Sequence, residues 1–286
     1  MKAPPFARVL TTLNLKGGVG KTHSTWLLSA VAQERELRTL LVDMDTQGNL
    51  TSSFLTAESA VPGVELLFDP AADGDVHELI RRTPFSHIDL IPSGPALARF
   101  DLSDQSAWER ADLQFSLLDA VADLRGSYDL ILFDCPPRLS LVSFAALCAS
   151  DGVMIPLEAA DWGAQGILQV AQAVEYVRSR YNPPLQLVGY LVSRFKRARA
   201  YQNSYLAQLR RHFGAEAFDT VIPDLAQFEK SVTDRLPITL HAPRSEESDI
   251  ARRYFDEVLA RTARHAGRRD RSRRPRVLDA AAAGAA

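Results

Sequence analysis

The run Asn14-Leu15-Lys16-Gly17-Gly18-Val19-Gly20-Lys21-Thr22 joins an apolar stretch, residues 9–13, to a segment with helical spacing that opens near Lys21, and it constrains the chain more than any other feature. Consecutive small residues let backbone N–H groups turn inward around a polyphosphate. The N-terminus of the following helix adds positive dipole, Lys21 adds a point charge, and Thr22 offers a hydroxyl to Mg²⁺. Each part suits a nucleoside triphosphate. The strict pattern G-x-x-x-x-G-K-[ST] is not met, because Leu15 stands at its first glycine and an extra lysine, Lys16, follows. A desolvated ammonium is costly without an anion, so Lys16 is expected to meet phosphate, in its own subunit or in another's. The plainer reading is a solvated loop lysine.

The chain beyond this loop alternates two kinds of segment. Thr39-Leu40-Leu41-Val42-Asp43-Met44-Asp45 is short, apolar and without polar alternation, which is how a strand buried on both faces of a parallel sheet reads. Its aspartates stand at the C-terminal end, where open α/β sheets place their ligands. Residues 128–137 repeat the theme, with an apolar strand ending in Asp134 before Cys135, Pro136 and Pro137. A carboxylate there can hold Mg²⁺ or its water opposite a phosphate loop; by itself it also reads as a helix cap or turn residue. Further strands are expected at 88–92, 152–157, 185–192 and 220–223, and helices at 22–34, 107–124, 166–181, 200–213 and 246–259. Residues 46–74 are turn-rich and resist assignment. This alternation predicts βαβ crossovers and an α/β fold, a mostly parallel twisted sheet covered by helices on both faces. No internal linker is visible, so a single domain is expected over residues 1–262.

Composition excludes several classes. A chain of 286 residues with 46% hydrophobic and 24% charged content is ordinary globular usage. No apolar run approaches the roughly 20 residues that span a bilayer, and the first residues lack a signal-peptide core, so a cytoplasmic location is expected. Cys135 and Cys148 have no C-x-x-C spacing, which argues against a disulfide framework, a structural zinc site or an iron–sulfur scaffold. A net charge of −2 gives no global sign of nucleic-acid binding, so any DNA contact must be local. From Arg264 the composition turns arginine-rich and then alanine-rich. Residues 263–286 read as a basic, disordered arm of the kind that often binds polyanions.

The motifs Lys16-Gly17-Gly18-Val19-Gly20-Lys21-Thr22, Leu41-Val42-Asp43-Met44-Asp45-Thr46-Gln47-Gly48-Asn49, residues 128–137 and residues 153–158, in this order and spacing, resemble the ParA/MinD group of deviant Walker ATPases, and ParA most. The resemblance covers about residues 7–262, and its first three motifs together are highly specific. It implies a P-loop NTPase-like fold and a slow, partner-stimulated ATP hydrolase that uses ATP and Mg²⁺. Lys16 would be the signature lysine that reaches across a nucleotide-sandwich dimer to the partner's phosphates. Gly17, Gly18, Val19 and Gly20 would line the phosphates, with Lys21 and Thr22 as the ordinary loop lysine and Mg²⁺ ligand. Asp45 would position or activate the attacking water, and with Asp134 would serve the Mg²⁺ shell. Asp43 stays open between a direct role and that of a buried strand-end acid holding the phosphate loop. His23 stands where the family usually has Thr or Ser, and both a ligand contact near the α-phosphate and a helix N-cap or first-turn role remain open. Thr46 replaces the usual proline. Ser193 replaces an adenine-reading Asn or Thr, and the backbone around Pro223 and Asp224 is the other candidate for the adenine edge.

ParA proteins of this kind bind DNA without sequence preference as ATP dimers and release it when a ParB-like partner stimulates hydrolysis. Such binding rests on salt-dependent phosphate contacts. Arg194, Lys196, Arg197 and Arg199 form the densest basic cluster before the tail, with Arg210 and Arg211 one helix later. The family's second basic site falls on Gln227, although Lys230 and Arg235 are near. Arg268, Arg269, Arg271, Arg273 and Arg274 of the tail are candidate replacements, against the plain reading of a solubilising terminus. The expectation is therefore a homodimer in its ATP state, nucleoid-associated, that partitions a plasmid or chromosome. The alternative is a nucleoid-tracking ATPase that positions a protein cargo. A MinD-like membrane regulator needs a tail with a large apolar face, whereas this tail offers Val277, Leu278 and then alanines, so no membrane partner is expected. No helix-turn-helix segment precedes Val9, so operator binding is not expected either.

Overall fold

The computed structural model describes residues 7–56, 62–72, 75–104, 113–159 and 164–263. Seven strands, β1 (Arg8–Thr12), β2 (Thr39–Asp43), β3 (Arg81–Arg82), β4 (Ile88–Ile91), β5 (Leu130–Asp134), β6 (Gly152–Glu158) and β7 (Gln186–Ser193), form one sheet in the order β3-β4-β2-β5-β1-β6-β7. Every neighbouring pair is parallel except β3 with β4. The helices are α1 (Lys21–Glu34), α2 (Asn49–Phe54), α3 (Ser116–Leu124), α4 (Leu141–Ala149), α5 (Ala164–Arg180), α6 (Ala200–Phe213), α7 (Ala226–Thr233), α8 (Ile238–His241) and α9 (Glu246–Ala263).

Successive strand residues point to opposite faces, so an uninterrupted apolar run feeds two cores at once. Leu40 and Val42 join one core with Val121, Leu147, Val170 and Tyr205, from α3, α4, α5 and α6. Leu41, between them, joins the other core with Trp26, Phe54, Phe228, Ile238 and Tyr254, from α1, α2, α7, α8 and α9. Ile131 and Leu132 of β5 divide in the same way. Burying each such side chain contributes about 1.5–3 kcal/mol. The helical layers on both faces are thus a consequence of strands that have no polar side.

Register positions the functional end. Thr12 of β1 pairs with Asp134 of β5, and Asp43 of β2 pairs with the same Asp134. Three central strands therefore finish side by side at the C-terminal edge of the sheet, where crossovers leaving in different directions open a crevice.

Residues 220–223, expected as a last strand, do not form one. They close the β7 edge through single bonds, Ile222 N to Val192 O at 2.9 Å and Phe195 N to Ile222 O at 3.1 Å. The only pairing left there is an isolated bridge between Phe195 and Pro223, because proline has no N–H with which to continue a ladder. The two-residue strand β3 and the helices α7 and α8 were not expected, being too short to show periodicity. Residues 46–74, unassigned by pattern, contain α2 and a 3₁₀ turn at Val64–Phe68. Part of the helix expected over 107–124, and the basic and alanine-rich tail from Arg264, lie outside the described residues. The final helix runs to Ala263, past the expected limit of 259. Among the described residues, no helix is long and apolar enough to cross a membrane.

Candidate functional site

The chain leaves β1 and turns back over the strand end through the glycine-rich loop. Gly18 and Gly20 have φ of 77° and 84°, the left-handed region that favours glycine, and a Cβ on Gly20 would stand 3.0 Å from Ser193 Oγ. Three side chains fix the loop from the β6 and β7 side. Asn14 Nδ2 donates to Pro156 O at 2.6 Å while its Oδ1 accepts from Lys16 N at 2.9 Å. Ser193 Oγ donates to Val19 O at 2.5 Å, and Arg194 Nη1 donates to Gly18 O at 3.2 Å. With those two carbonyls engaged, the N–H groups across the same trans peptide planes point the opposite way, as an anion-binding nest requires. Helix α1 starts at Lys21 with Gly20 as cap and no side-chain cap bond, which leaves first-turn N–H groups for an anion.

Below the loop lies a cluster of buried charge. Lys21 is 7% exposed and its Nζ donates to Lys16 O at 3.0 Å. Burial pulls this ammonium below its ordinary pKa, and the Asp134 and Asp45 carboxylates oppose that shift. Asp134 is fully buried, and no well-formed hydrogen bond reaches either carboxylate oxygen, the Thr22 hydroxyl making only a weak contact. Burial first, and then the charge of Asp43, push its carboxyl well above the usual range; the nearby Thr22 hydroxyl and Lys21 ammonium only partly offset this. A buried carboxylate so poorly supplied with donors is costly, so a cation beside Asp134 would relieve it. Hard oxygen donors such as Thr22 and Asp134 suit Mg²⁺, which binds through one or two carboxylates and completes its shell with phosphates and water. Accordingly, among the described residues no group of three or more His, Cys, Asp or Glu side chains can hold a metal unaided. Helix α4 is capped by Ser140, so Asp134 is not a helix cap.

Asp43 has a different job. Its Oδ2 accepts from the N–H and the hydroxyl of Thr51, both at 2.8 Å, and its Oδ1 accepts from Asp45 N at 3.1 Å. Burial still pushes its carboxyl up to about 6. Of its two open readings, the structure takes the bracing one, with a correction: what it braces is the Asp45 turn and α2 rather than the phosphate loop. Asp45 is further held by Ser93 Oγ, which donates to its carbonyl at 2.8 Å, and its Oδ1 accepts from Gln47 N at 3.1 Å.

Lys16 lies outside this cluster. Its side chain is 45% exposed and its Nζ stands 3.5 Å from Glu158 Oε2, at the end of β6. His23, in the first turn of α1, packs edge-on against Phe228 at 5.1 Å, and its Nε2 is shielded from solvent without a hydrogen bond. Burial lowers its pKa to about 4, with the charge of Arg194 adding to the shift, so the imidazole is neutral at pH 7. Because Gly20 is the cap, the N-cap reading of His23 falls away. Ser193 is buried and its hydroxyl is spent on the loop. Pro223 is buried, while Asp224 pairs with Lys196 Nζ at 3.0 Å and donates its N–H to Phe195 O at 3.0 Å.

The basic cluster divides on inspection. Arg194 turns to the phosphate loop, Lys196 to Asp224, and Arg197 to Glu246 at 3.1 Å. Arg199 Nη1 donates to Tyr201 Oη at 2.9 Å. Lys230 is exposed on α7. Arg268, Arg269, Arg271, Arg273 and Arg274 lie outside the described residues.

Comparison with known proteins decides what this arrangement belongs to. A family model described as an AAA domain matches residues 7–187. The chromosome-partitioning ATPase Soj of Thermus thermophilus is 35% identical over 89% of this chain and 96% of its own length. The chromosome partitioning protein ParA of Myxococcus xanthus is 31% identical over 94% of this chain and 91% of its own. The chain belongs to the ParA/Soj family of partition ATPases. Among solved structures, the cobyrinic acid a,c-diamide synthase of Mycobacterium smegmatis, with bound ADP and magnesium, superposes with a TM-score of 0.75 at 26% identity, covering 92% of this chain and 97% of that one.

In this ParA-family site, Thr51 and Ser93 were not singled out by sequence reasoning, and Asn14 and Glu158 entered only as members of motifs, with no role of their own. Each acts through a partner distant in sequence, and an isolated Ser, Thr or Asn carries no periodic signal. The poorly supplied Asp134 predicts opposite effects on stability and function. Asp134→Asn removes a desolvated charge and should stabilise the nucleotide-free protein by about 1 kcal/mol, seen as a higher urea midpoint. The same variant should lose Mg²⁺-dependent ATP hydrolysis by roughly 100-fold or more; a variant both less stable and fully active contradicts the metal role.

Proposed function

We propose that this chain is an ATP-dependent DNA-partitioning ATPase that forms a nucleotide-sandwich dimer, binds DNA without sequence preference and releases it when a ParB-like partner stimulates hydrolysis. The observation that carries this reading is the contrast between its two loop lysines. Lys21 is buried in its own cradle, whereas Lys16 stands on the rim in an exposed ion pair, a contact worth about 0–1 kcal/mol. Such a pair is exchanged at little cost for the phosphates of a nucleotide held by a second subunit. The partition roles printed for the Myxococcus and Thermus relatives support the same reading.

The mechanism follows from positioning, since phosphoryl transfer needs little covalent help from protein. Loop N–H groups and Lys21 would hold the β- and γ-phosphates. Mg²⁺, held by Thr22 and Asp134 with phosphate oxygens, would supply charge neutralisation on the transferred group. Asp45 would accept a proton-side hydrogen bond from the attacking water and fix its line of approach, with Asp43, Thr51 and Ser93 holding the Asp45 turn in place. Lys16 from the partner would neutralise the phosphates only after dimerisation, which makes hydrolysis a timer for the assembled state. The exposed cations Lys196, Arg197, Arg199 and Lys230 would meet DNA phosphates, Lys196 and Arg197 by giving up surface ion pairs of small worth.

Asp45→Ala should keep ATP affinity and trap the dimer on DNA, while Lys16→Ala should abolish the ATP-dependent rise in mass seen by light scattering. Hydrolysis at the parental rate in Asp45→Ala contradicts its assigned role. Reversing two charges, Arg197→Glu with Arg199→Glu, should weaken binding to an unrelated duplex and flatten the log affinity against log salt slope by roughly 2. Removal of residues after Ala263 tests the tail by the same titration. Unchanged affinity in both cases removes the DNA reading.

A further inference from the structure

We infer that Arg194 belongs to the nucleotide site as a positioning residue: its guanidinium clamps the phosphate loop through Gly18 O, on the face opposite the loop's N–H groups, and so holds the nest that receives the triphosphate. The inference rests on the ATPase reading of the site and assigns this residue a place apart from its basic neighbours in sequence.

The backbone separates it from them. Arg194 has φ of 52°, the left-handed region that an L side chain enters at a cost and keeps only where surroundings impose it. The turn directly follows the last residue of β7, so Ser193 and Arg194 grip two successive loop carbonyls, Val19 at 2.5 Å and Gly18 at 3.2 Å. Lys196 and Arg197 leave in other directions, to Asp224 and Glu246. The guanidinium lies over the loop itself: a Cβ on Gly18 would stand 3.9 Å from Arg194 Nη1. On the other side, its charge reaches the imidazole of His23 in the first turn of α1. Arg194 thus holds the loop just before the start of α1, the two elements that bind an anion in this architecture.

Chemistry suits the position. Arginine carries five N–H donors in a planar fork, of which Gly18 takes one here. That fork stays charged at any working pH, so its bond to Gly18 O is charge-assisted. Its role is distinct from that of Lys16, which pairs with Glu158, the register partner of Ser193 on β6, and would serve the partner's nucleotide. Arg194 would serve its own, as a positioning residue for the loop.

The test compares Arg194→Gly, which adopts the left-handed backbone without strain, with Arg194→Lys, which keeps the charge. ATP with Mg²⁺ is titrated into each protein by calorimetry, and the ATP-saturated proteins are titrated with an unrelated DNA duplex at several salt concentrations. Arg194→Gly should raise the Kd for ATP roughly fivefold to tenfold, the weight of one charge-assisted contact, with a nucleotide-free melting temperature near the parent's. Arg194→Lys should recover part of that loss, and both variants should keep the parent's DNA salt slope. An ATP Kd for Arg194→Gly within twofold of the parent's overturns the inference, as does an Arg194→Lys no tighter than Arg194→Gly. A salt slope shallower by about 1 with ATP affinity intact marks Arg194 as a DNA contact instead. The parent titration separates the two levels: a parent that binds no ATP refutes the ATPase reading, whereas a parent and variant that bind alike refute only this one.

Discussion

Asp43 and Asp134 occupy paired positions at the ends of adjacent parallel strands, both sealed from solvent, with the Lys21 ammonium nearby as the opposing charge. Two carboxylates so placed cannot both be comfortable as anions, and burial pushes both upward in pKa. The site resolves the conflict asymmetrically. Asp43 receives three hydrogen bonds and becomes a brace for the Asp45 turn, while no well-formed hydrogen bond reaches Asp134. The protein therefore carries an uncompensated group at the point where a divalent cation and phosphates can complete it. Stability is given up at the site that function needs, a common division in enzymes.

The rest of the architecture serves this arrangement. Strands with two apolar faces force helices onto both sides of the sheet, and the resulting crevice sits over β1, β2 and β5. Asn14, Ser193 and Arg194 pull the phosphate loop toward β6 and β7, so its shape is set before any ligand arrives. Preorganised donors of this kind act without further reorganisation when charge develops. The two lysines of the loop face inward and outward, and in the proposed function this division would let a second subunit complete the nucleotide site.

Much of this was legible in the sequence because the controlling signals are local. Uninterrupted apolar runs named the buried strands, glycines next to Lys21 named the phosphate loop, and Asp134 stood out as an acid ending an apolar strand before two prolines. What escaped was long-range or conformational. Thr51 and Ser93 matter only through the fold that brings them to Asp43 and Asp45. Residues 220–223 look β-forming yet follow an edge where Pro223 stops the ladder. Arg194 read as one member of a basic run, since nothing in residue spacing reveals that its backbone is left-handed and turns the side chain toward Gly18.

The central claim is that the buried acids are completed jointly by metal and nucleotide. Thermal unfolding of the full chain in saturating ATP with chelator, in Mg²⁺ alone, and in both together tests it most directly, because ligands that bind the folded state raise its melting temperature by mass action. The account predicts that ATP and Mg²⁺ together stabilise by clearly more than the sum of their separate shifts. An equal shift from ATP in the presence of chelator would contradict it.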